Sequence, residues 1–524
     1  MTHITKSMTA LAAAIVFLTL QAFSQTSSGT ISGFVLDPTE AAIRDVEVVL
    51  TNEQTGVDVT TKTQKEGNFI FDGVQPGIFT VTVRASGFKE LKKIHFTLDA
   101  SQKLSTGNLM LEIGNTSQEI TVTSDLTPIQ NSSAERSIVL DNTQIENLLS
   151  VGRDVMSLLR VMPGSVGAGN SANLSNSTPP TINGVRNEYN TSTVDGVVGN
   201  IAGNATFFTP LNLDAIKEVT VLQSNYQAEY GQSAGSNVNM VTKNGTREFS
   251  GSLYYYNRNE AFNANSYFNK FNNLPRAQYR YNTAGGTLGG PIYWPGKFNR
   301  DRKKLFFFTS IEIDPNRTPE GIHYFTVPTA LERAGDFSQT YNQGTTVHNA
   351  STLIHIKDPA STGACPVNSV TPGPGCLPNN KVPNPNSNLT ALLNLFPMPN
   401  FTNLAVSNGN YNYVTNTTAD TSVNQEVVRI DYFATEKLHM FFRGQWQANN
   451  DNGYNSPEAP AAWGIRVNYR TTAPAFAFNT TYAFSPTMLN ELNLGLASWL
   501  KINFIIIQTL TNSVSTLTAI TLIH

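Results

Sequence analysis

The sequence is short of charge, of histidine and cysteine, and of long apolar runs. Charged residues make up 14% of its 524 positions, where about 25% is ordinary. Lys and Arg number 35 against 38 Asp and Glu, a net charge of −3. That balance excludes an evident nucleic-acid binder and a strongly acidic disordered tail. The seven histidines show no His-x-x-Glu or related metal spacing, so neither a metal nor another cofactor is expected. Two cysteines, Cys365 and Cys376, allow at most one disulfide. They sit in a Pro/Gly loop without a nearby His, so an oxidising compartment would pair them and a reducing one would leave free thiols. Glycine-rich stretches at Gly167–Ser171 and Gly285–Gly290 lack the lysine and the strand–helix context of a phosphate loop. No catalytic constellation is legible, and an enzyme is not expected. No segment reaches the roughly 20 apolar residues of a spanning helix. If this chain crosses a membrane, it does so with strands.

In place of Lys and Glu stand Asn, Thr, Ser, Gly and aromatics, as in the run Asn410–Thr418. Such a composition suits strands that face lipid on one side and a wet lumen on the other. The N-terminus supplies the route. His3 and Lys6 precede the apolar run Ala10–Leu20, followed by small residues around Ala22 and Ser24. A basic start, an apolar region of about 7–15 residues and a small-x-small site form a secretory signal peptide. Residues 1–24 are assigned to it, with cleavage after Ser24.

Residues 27–113 alternate in short runs, such as Ile31–Leu36, Val46–Leu50 and Phe79–Val83, separated by turns at Asp72-Gly73 and Pro76-Gly77. The segment Gly67–Phe88 resembles the carboxypeptidase regulatory-like, transthyretin-like sandwich module. The resemblance implies no peptidase. It leaves a spacer or a carbohydrate-binding role open. A linker at 114–134 holds Glu119, Ile120, Thr121, Val122 and Thr123. A β-branched run of this kind can be captured by a sheet edge, or can be the last strand of the sandwich.

From 135 to 245 the pattern changes to two helical stretches ended by Pro163-Gly164, then strand-and-turn units. The series contains Asn183-Gly184, Asp195-Gly196, Ile216–Leu222, Tyr230-Gly231 with Gly235, and a close that includes Thr242 and Lys243. In this order it resembles the plug domain of TonB-dependent outer-membrane receptors, and the sandwich-plus-plug order resembles the Oar-like members. Under that resemblance Glu119–Thr123 lies where the TonB box is expected.

From 247 onward strand follows strand. Val428, Ile430 and Tyr432 share one face and Arg429 and Asp431 the other. Leu438, Met440, Phe442 and Trp446 likewise oppose His439, Arg443 and Gln445, with Phe441 oddly among the polar set. Such alternation is the period-two signature of a transmembrane barrel, and aromatics at segment ends suit its interfaces. Seven spans are expected, near 249–257, 279–289, 304–312, 427–433, 438–446, 474–484 and 488–496, with a Pro/Asn-rich extracellular loop over 314–424.

The expected fold is thus mainly β: a transthyretin-like β-sandwich, an α+β plug, then the first part of a transmembrane antiparallel β-barrel at 247–499. Residues 500–524 look like an atypical tail. Receptors of this family have about 22 strands, and their barrels usually end in an aromatic residue. The chain, ending in His524, is therefore expected to be truncated or frameshifted near Trp499. The resemblance implies an outer-membrane receptor that works with the TonB protein and membrane lipid to take up a siderophore, oligosaccharide or peptide. The competing expectations are a non-transporting surface binder and an inactive fragment.

Overall fold

The computed structural model describes residues 27–114, 119–123, 133–148, 153–167, 180–200, 211–227, 230–231, 233–271, 274–276, 278–367, 369–394, 396–454, 466–485, 488–498, 500–506 and 522–523. The signal peptide expected at residues 1–24 lies outside them. The first unit has strands β1 (Gly29–Leu36), β2 (Glu47–Asn52), β3 (Asp58–Lys62), β4 (Asn68–Val74), β5 (Gly77–Arg84), β6 (Glu90–Leu98), β7 (Lys103–Met110) and β8 (Glu119–Thr123). They form two sheets, ordered β4-β1-β7 and β3-β2-β5-β6-β8. Alternate residues point inward, so Ile31, Val48, Leu50, Phe69, Val81 and Leu98 close a core between the sheets. Each such side chain contributes about 1.5–3 kcal/mol through burial.

The second unit has β9 (Arg136–Asp141), a helix Asn142–Asn147, a helix Val155–Leu158, and β10 (Ser165–Val166) with β11 (Thr181–Ile182). It continues with β12 (Thr191–Val194), β13 (Val197–Val198), β14 (Ile216–Ser224) and β15 (Asn237–Thr242). Asp141 caps the first helix in a capping box with Gln144, which fixes the strand-to-helix switch. The sheet runs β13-β12-β15-β14-β9. Its buried cluster, with Ile145, Met156, Leu159, Val219 and Met240, also takes in Phe308 and Val427 from the third unit. The two units therefore share one core.

The third unit is a ten-stranded sheet of β16 (Ser250–Asn259), β17 (Arg280–Pro291), β18 (Leu305–Phe325), β19 (Tyr413–Thr435), β20 (Leu438–Tyr454), β21 (Arg466–Thr472), β22 (Ala475–Ser485), β23 (Met488–Ala497), β24 (Leu500–Ile506) and β25 (Leu522–Ile523). All its pairings are antiparallel. The expected alternation is present: Arg429, Asp431, Phe441, Arg443 and Gln445 are buried, whereas Val428, Ile430, Phe442 and Trp446 are exposed. Phe441 keeps its place on the polar face because the Arg429 guanidinium lies 4.4 Å over its ring. On β17 the glycines are steric: a Cβ on Gly285 would come within 2.4 Å of the Tyr254 hydroxyl, and one on Gly290 within 2.4 Å of the Phe249 ring.

Two expectations need correction. The loop anticipated over 314–424 is shorter, because β18 and β19 stay paired from Leu305↔Tyr432 to Phe325↔Tyr413. Only residues 326–412 leave the ladder. Pro315 and Pro319 hid the extension, since proline argues against a strand, and the register shifts between Pro319 and Gly321. Strands of 21 and 23 residues exceed the roughly 9–11 residues that cross a bilayer, so the far end of this hairpin, toward Phe325 and Tyr413, extends beyond the membrane. The second concerns the end of the pattern. β21 and β22 lie end to end against β20, and β23 and β24 lie against them. Residues 500–506 thus continue the seventh span although their side chains do not alternate, because ladder bonds are made by the backbone.

The lipid-facing assignment has a direct consequence. Ile430→Arg on the outer face should lower barrel stability by up to about 4 kcal/mol, whereas Ile430→Leu should leave it unchanged. Urea titration of the folded, heat-modifiable band in outer-membrane fractions measures both.

Candidate functional site

Asp195-Gly196 forms the two-residue turn between β12 and β13, with φ of 48° and 80°. Both central residues are left-handed, as the hairpin twist demands, and Asp and Gly are the residues that tolerate it. The turn drives the buried Asp195 carboxylate toward the sheet wall. Oδ1 accepts from the Thr242 N–H at 3.0 Å and Oδ2 from the Thr242 hydroxyl at 2.8 Å. Arg429 Nη1 donates to Oδ1 at 3.2 Å, and Arg443 Nε lies 3.0 Å from Oδ2. Arg429 also holds Asp431 through two bonds of 2.9 and 3.0 Å. Two cations and two anions, all nearly inaccessible to water, thus neutralise one another across the seam between the second and third units. The barrel-side Asn493 adds a bond to the Asp195 carbonyl.

A second contact lies nearby. Arg153 pairs with Asp214 of its own unit and with Glu312 of β18, and stacks over Tyr254 and Tyr256. Tyr254 donates to the same Glu312 at 2.7 Å. Among the expected motif residues, Asp195, Gly196 and Thr242 meet here, and Lys243 turns away to Glu146 at 2.8 Å. Asn183-Gly184 makes a separate turn of the same left-handed kind. Tyr230 is buried, with its carbonyl 3.4 Å from Asn237 Nδ2 and Gly231 beside it. Gly235 is required by closeness, since a Cβ there would lie 2.3 Å from Asn190 Oδ1. Arg153 and Glu312 were not singled out from sequence, and Arg443 was read only as a polar-face residue of its strand; no spacing signal links any of the three to its partner across the seam.

The first unit is bound to the other two. Lys217 Nζ donates to the Pro76 carbonyl at 2.5 Å, Ala100 N–H donates to the Glu218 carboxylate, and Asn239 reaches Ser101 at 3.5 Å. Burial pushes the Glu218 carboxyl up to about 7 and raises Asp99, while it lowers Lys217. On the barrel rim, Lys303 pairs with Asp58 at 3.0 Å and Thr60 bonds Glu436 at 3.3 Å. Glu119–Thr123 is the last strand of this sandwich, paired parallel to Glu90–Ile94 of β6. Cys365 and Cys376 are joined as a disulfide in the 326–412 loop, with Cα atoms 4.8 Å apart. Among the described residues, no group of three or more His, Cys, Asp or Glu is arranged to hold a metal.

A lumen-side plug held by buried charges against a lipid-faced antiparallel sheet defines a plugged outer-membrane barrel. The family models agree: outer membrane beta barrel domain over residues 241–522, more than half the chain, TonB-dependent receptor plug domain over 129–238, and carboxypeptidase regulatory-like domain over 30–112. The chain belongs to the TonB-dependent outer-membrane receptors. It is 23% identical over 251 residues to the TonB-dependent transporter Oar of Myxococcus xanthus, covering 44% of this chain and 22% of that protein. Among solved structures, the outer membrane transporter YddB of Escherichia coli matches 70% of this chain and 39% of its own, at 11% identity and a TM-score of 0.39. The siderophore receptor PirA of Pseudomonas aeruginosa matches 70% and 43%, at 12% identity and a TM-score of 0.37. The chain covers less than half the length of each of these relatives.

Asp195→Asn should destabilise the protein by about 3–5 kcal/mol, because it leaves two buried arginines facing one carboxylate. Denaturant titration measures the loss. Glu218 sets a pH dependence of its own. Its raised value means that its contribution to docking is complete below its ordinary 4.5 and fades as pH rises through about 7. Proteolysis of the connection between β8 and β9 should therefore speed up from pH 5 to pH 8, and Glu218→Gln should flatten that change.

Proposed function

We propose that the chain works as an energised uptake receptor. A small ligand (a siderophore, oligosaccharide or peptide) binds on the extracellular side, and the TonB protein pairs with Glu119–Thr123 from the periplasm. Its pull rearranges the plug and lets the ligand pass. The observation that carries this reading is the chemistry of the plug–barrel seam. Asp195, Arg429, Arg443 and Thr242 hold the plug by ion pairs and hydrogen bonds. Water and lumen groups can replace such contacts when the plug shifts, whereas a continuous apolar seam could not be opened so cheaply. The neighbouring sandwich strand holds the segment through which a pull would enter.

Deleting residues 119–123 tests the proposal in cells that accumulate a labelled ferric siderophore, oligosaccharide or peptide through this receptor. Uptake should be lost while surface binding is retained. Unchanged uptake would rule out Glu119–Thr123 as the point where the pull enters, and surface binding without any uptake by the undeleted receptor would leave a surface binder anchored by its barrel.

A further inference from the structure

At the end of the barrel away from the sandwich, the raised part of the β18–β19 hairpin faces the connection between β16 and β17. A cavity of about 560 Å³ lies between them. The hairpin lines it with Tyr324 and Asn416, and the connection with Asn265, Asn269, Arg276 and Tyr279. The asparagines tie both walls into one chain of amides. Asn416 Nδ2 donates to Asn269 Oδ1 at 3.3 Å, Asn269 Nδ2 to Asn265 Oδ1 at 3.0 Å, and Asn265 Nδ2 to the Leu274 carbonyl at 3.2 Å. Asn269 is buried, and its backbone N–H donates to the Ser266 hydroxyl at 3.2 Å, which fixes the middle of the chain. Bonds in such a series polarise one another, and the end left over is an acceptor. That end, Asn416 Oδ1, has no hydrogen-bond partner. An acceptor stranded in this way costs about 1–3 kcal/mol, which a ligand that brings a donor recovers.

Aromatic rings stand beside the amides. Tyr324 is 45% exposed and is braced by Tyr411, with ring centroids 4.5 Å apart. Tyr279 is braced by the Arg258 guanidinium, 5.1 Å above its ring. Charge is scarce: among the described residues lining the cavity, Arg276 is the one ion. Its Nη1 is already engaged by the carbonyls of Glu260, Ala261 and Asn263 at 2.6, 3.2 and 2.7 Å. Neutral amides beside braced aromatic faces suit a ligand with hydroxyls around its edge and C–H groups on its faces. A ferric catecholate would bring several negative charges to one occupied arginine. A peptide would bring a carbonyl for every N–H, where one hydrogen of each asparagine amide is already given within the chain.

We propose that this cavity is a binding subsite for a neutral oligosaccharide. The proposal rests on the uptake reading and narrows its ligand to one class. A sugar hydroxyl completes Asn416 Oδ1, and the C–H faces of the ring lie on Tyr279 and Tyr324. Because the amide chain spans both walls, a sugar bound here also holds the β16–β17 connection against the hairpin.

Saturation-transfer NMR and titration calorimetry on the intact receptor in detergent test the proposal. The neutral probes are maltohexaose, cellohexaose and xylohexaose; ferric enterobactin and a hexapeptide stand for the other classes. At least one of the sugars should bind, and Tyr324→Ala and Asn416→Ala should each weaken it by about tenfold or more. Tyr324 is exposed, so its variant keeps the fold even where Asn416→Ala loosens the connection. Binding of none of the sugars, or sugar binding that Tyr324→Ala leaves unchanged, overturns the proposal. So does binding of ferric enterobactin or the hexapeptide that both variants abolish. Uptake by cells separates this proposal from the reading beneath it. Energised uptake of ferric enterobactin that both variants leave intact keeps the uptake reading and overturns the saccharide subsite. Sugar binding that both variants weaken, without uptake of that sugar, keeps the subsite and sinks the uptake reading.

Discussion

Asp195 carries its charge into a place from which water is excluded, and among the described residues of its own unit that carboxylate is held by Thr242 alone. An unpaired buried charge is worth several kcal/mol of instability. The barrel supplies Arg429 and Arg443, and those two cations would in turn be stranded without Asp195 and Asp431. Neither unit is electrostatically complete alone. That mutual dependence seats the plug, orients the wall strands β19 and β20 toward it, and brings Phe308 and Val427 into the plug's apolar core.

The sandwich meets the same assembly with a different kind of contact. Its bonds to β14 use backbone groups of Pro76 and Ala100 against one lysine and one glutamate, set beside Asp99. The apolar side chains of the sandwich remain in its own core, so the module keeps an independent fold while docked. A domain that holds its neighbour through a few polar groups can transmit a displacement without being unfolded by it.

Much of this was legible because period-two patterns are written directly in side chains. The opposition of Arg429 and Asp431 to Val428 and Ile430 reports the lumen and lipid faces whether or not the pairing partners are known. The low charge content follows from the same rule: a wall strand needs one apolar face, and its wet face is largely met by Asn, Gln, Thr and Ser, as in Gln425, Asn449 and Asn479. The turns Asn183-Gly184 and Asp195-Gly196 were equally plain, since few residues accept their backbone. What the sequence could not display was anything decided by distance in space. Arg443 reads as one more polar wall residue until Asp195 arrives from about 250 positions earlier. Strand extensions through Pro315 and Pro319 were hidden because local propensity opposes them, while a long ladder with a shifted register overrides it. The segment Glu119–Thr123 supported two readings on pattern alone, and its pairing with Glu90–Ile94 of β6 makes it a strand of the sandwich sheet.

The layout also answers how a pull on the periplasmic side could reach a carboxylate buried in the lumen. Lys217 and Glu218, which bind the sandwich, follow Ile216 on β14, and Ile216 is the register partner of Thr242 on β15. Thr242 in turn holds both oxygens of Asp195 and accepts from Arg429. Force arriving at the sandwich therefore enters the plug beside the strand residue that completes the buried charge cluster. A shift of β14 against β15 need not break the ion pairs one at a time in an apolar medium. It has only to draw Thr242 away, leaving Asp195 with fewer donors and admitting water to a site that was stable because water was absent. Hydration then weakens the attraction between Asp195 and its arginines, since the same charges at the same separation interact far less in a high dielectric. On this route the strength of the seam at rest and its ease of opening under load have one cause, the exclusion of water from four charges.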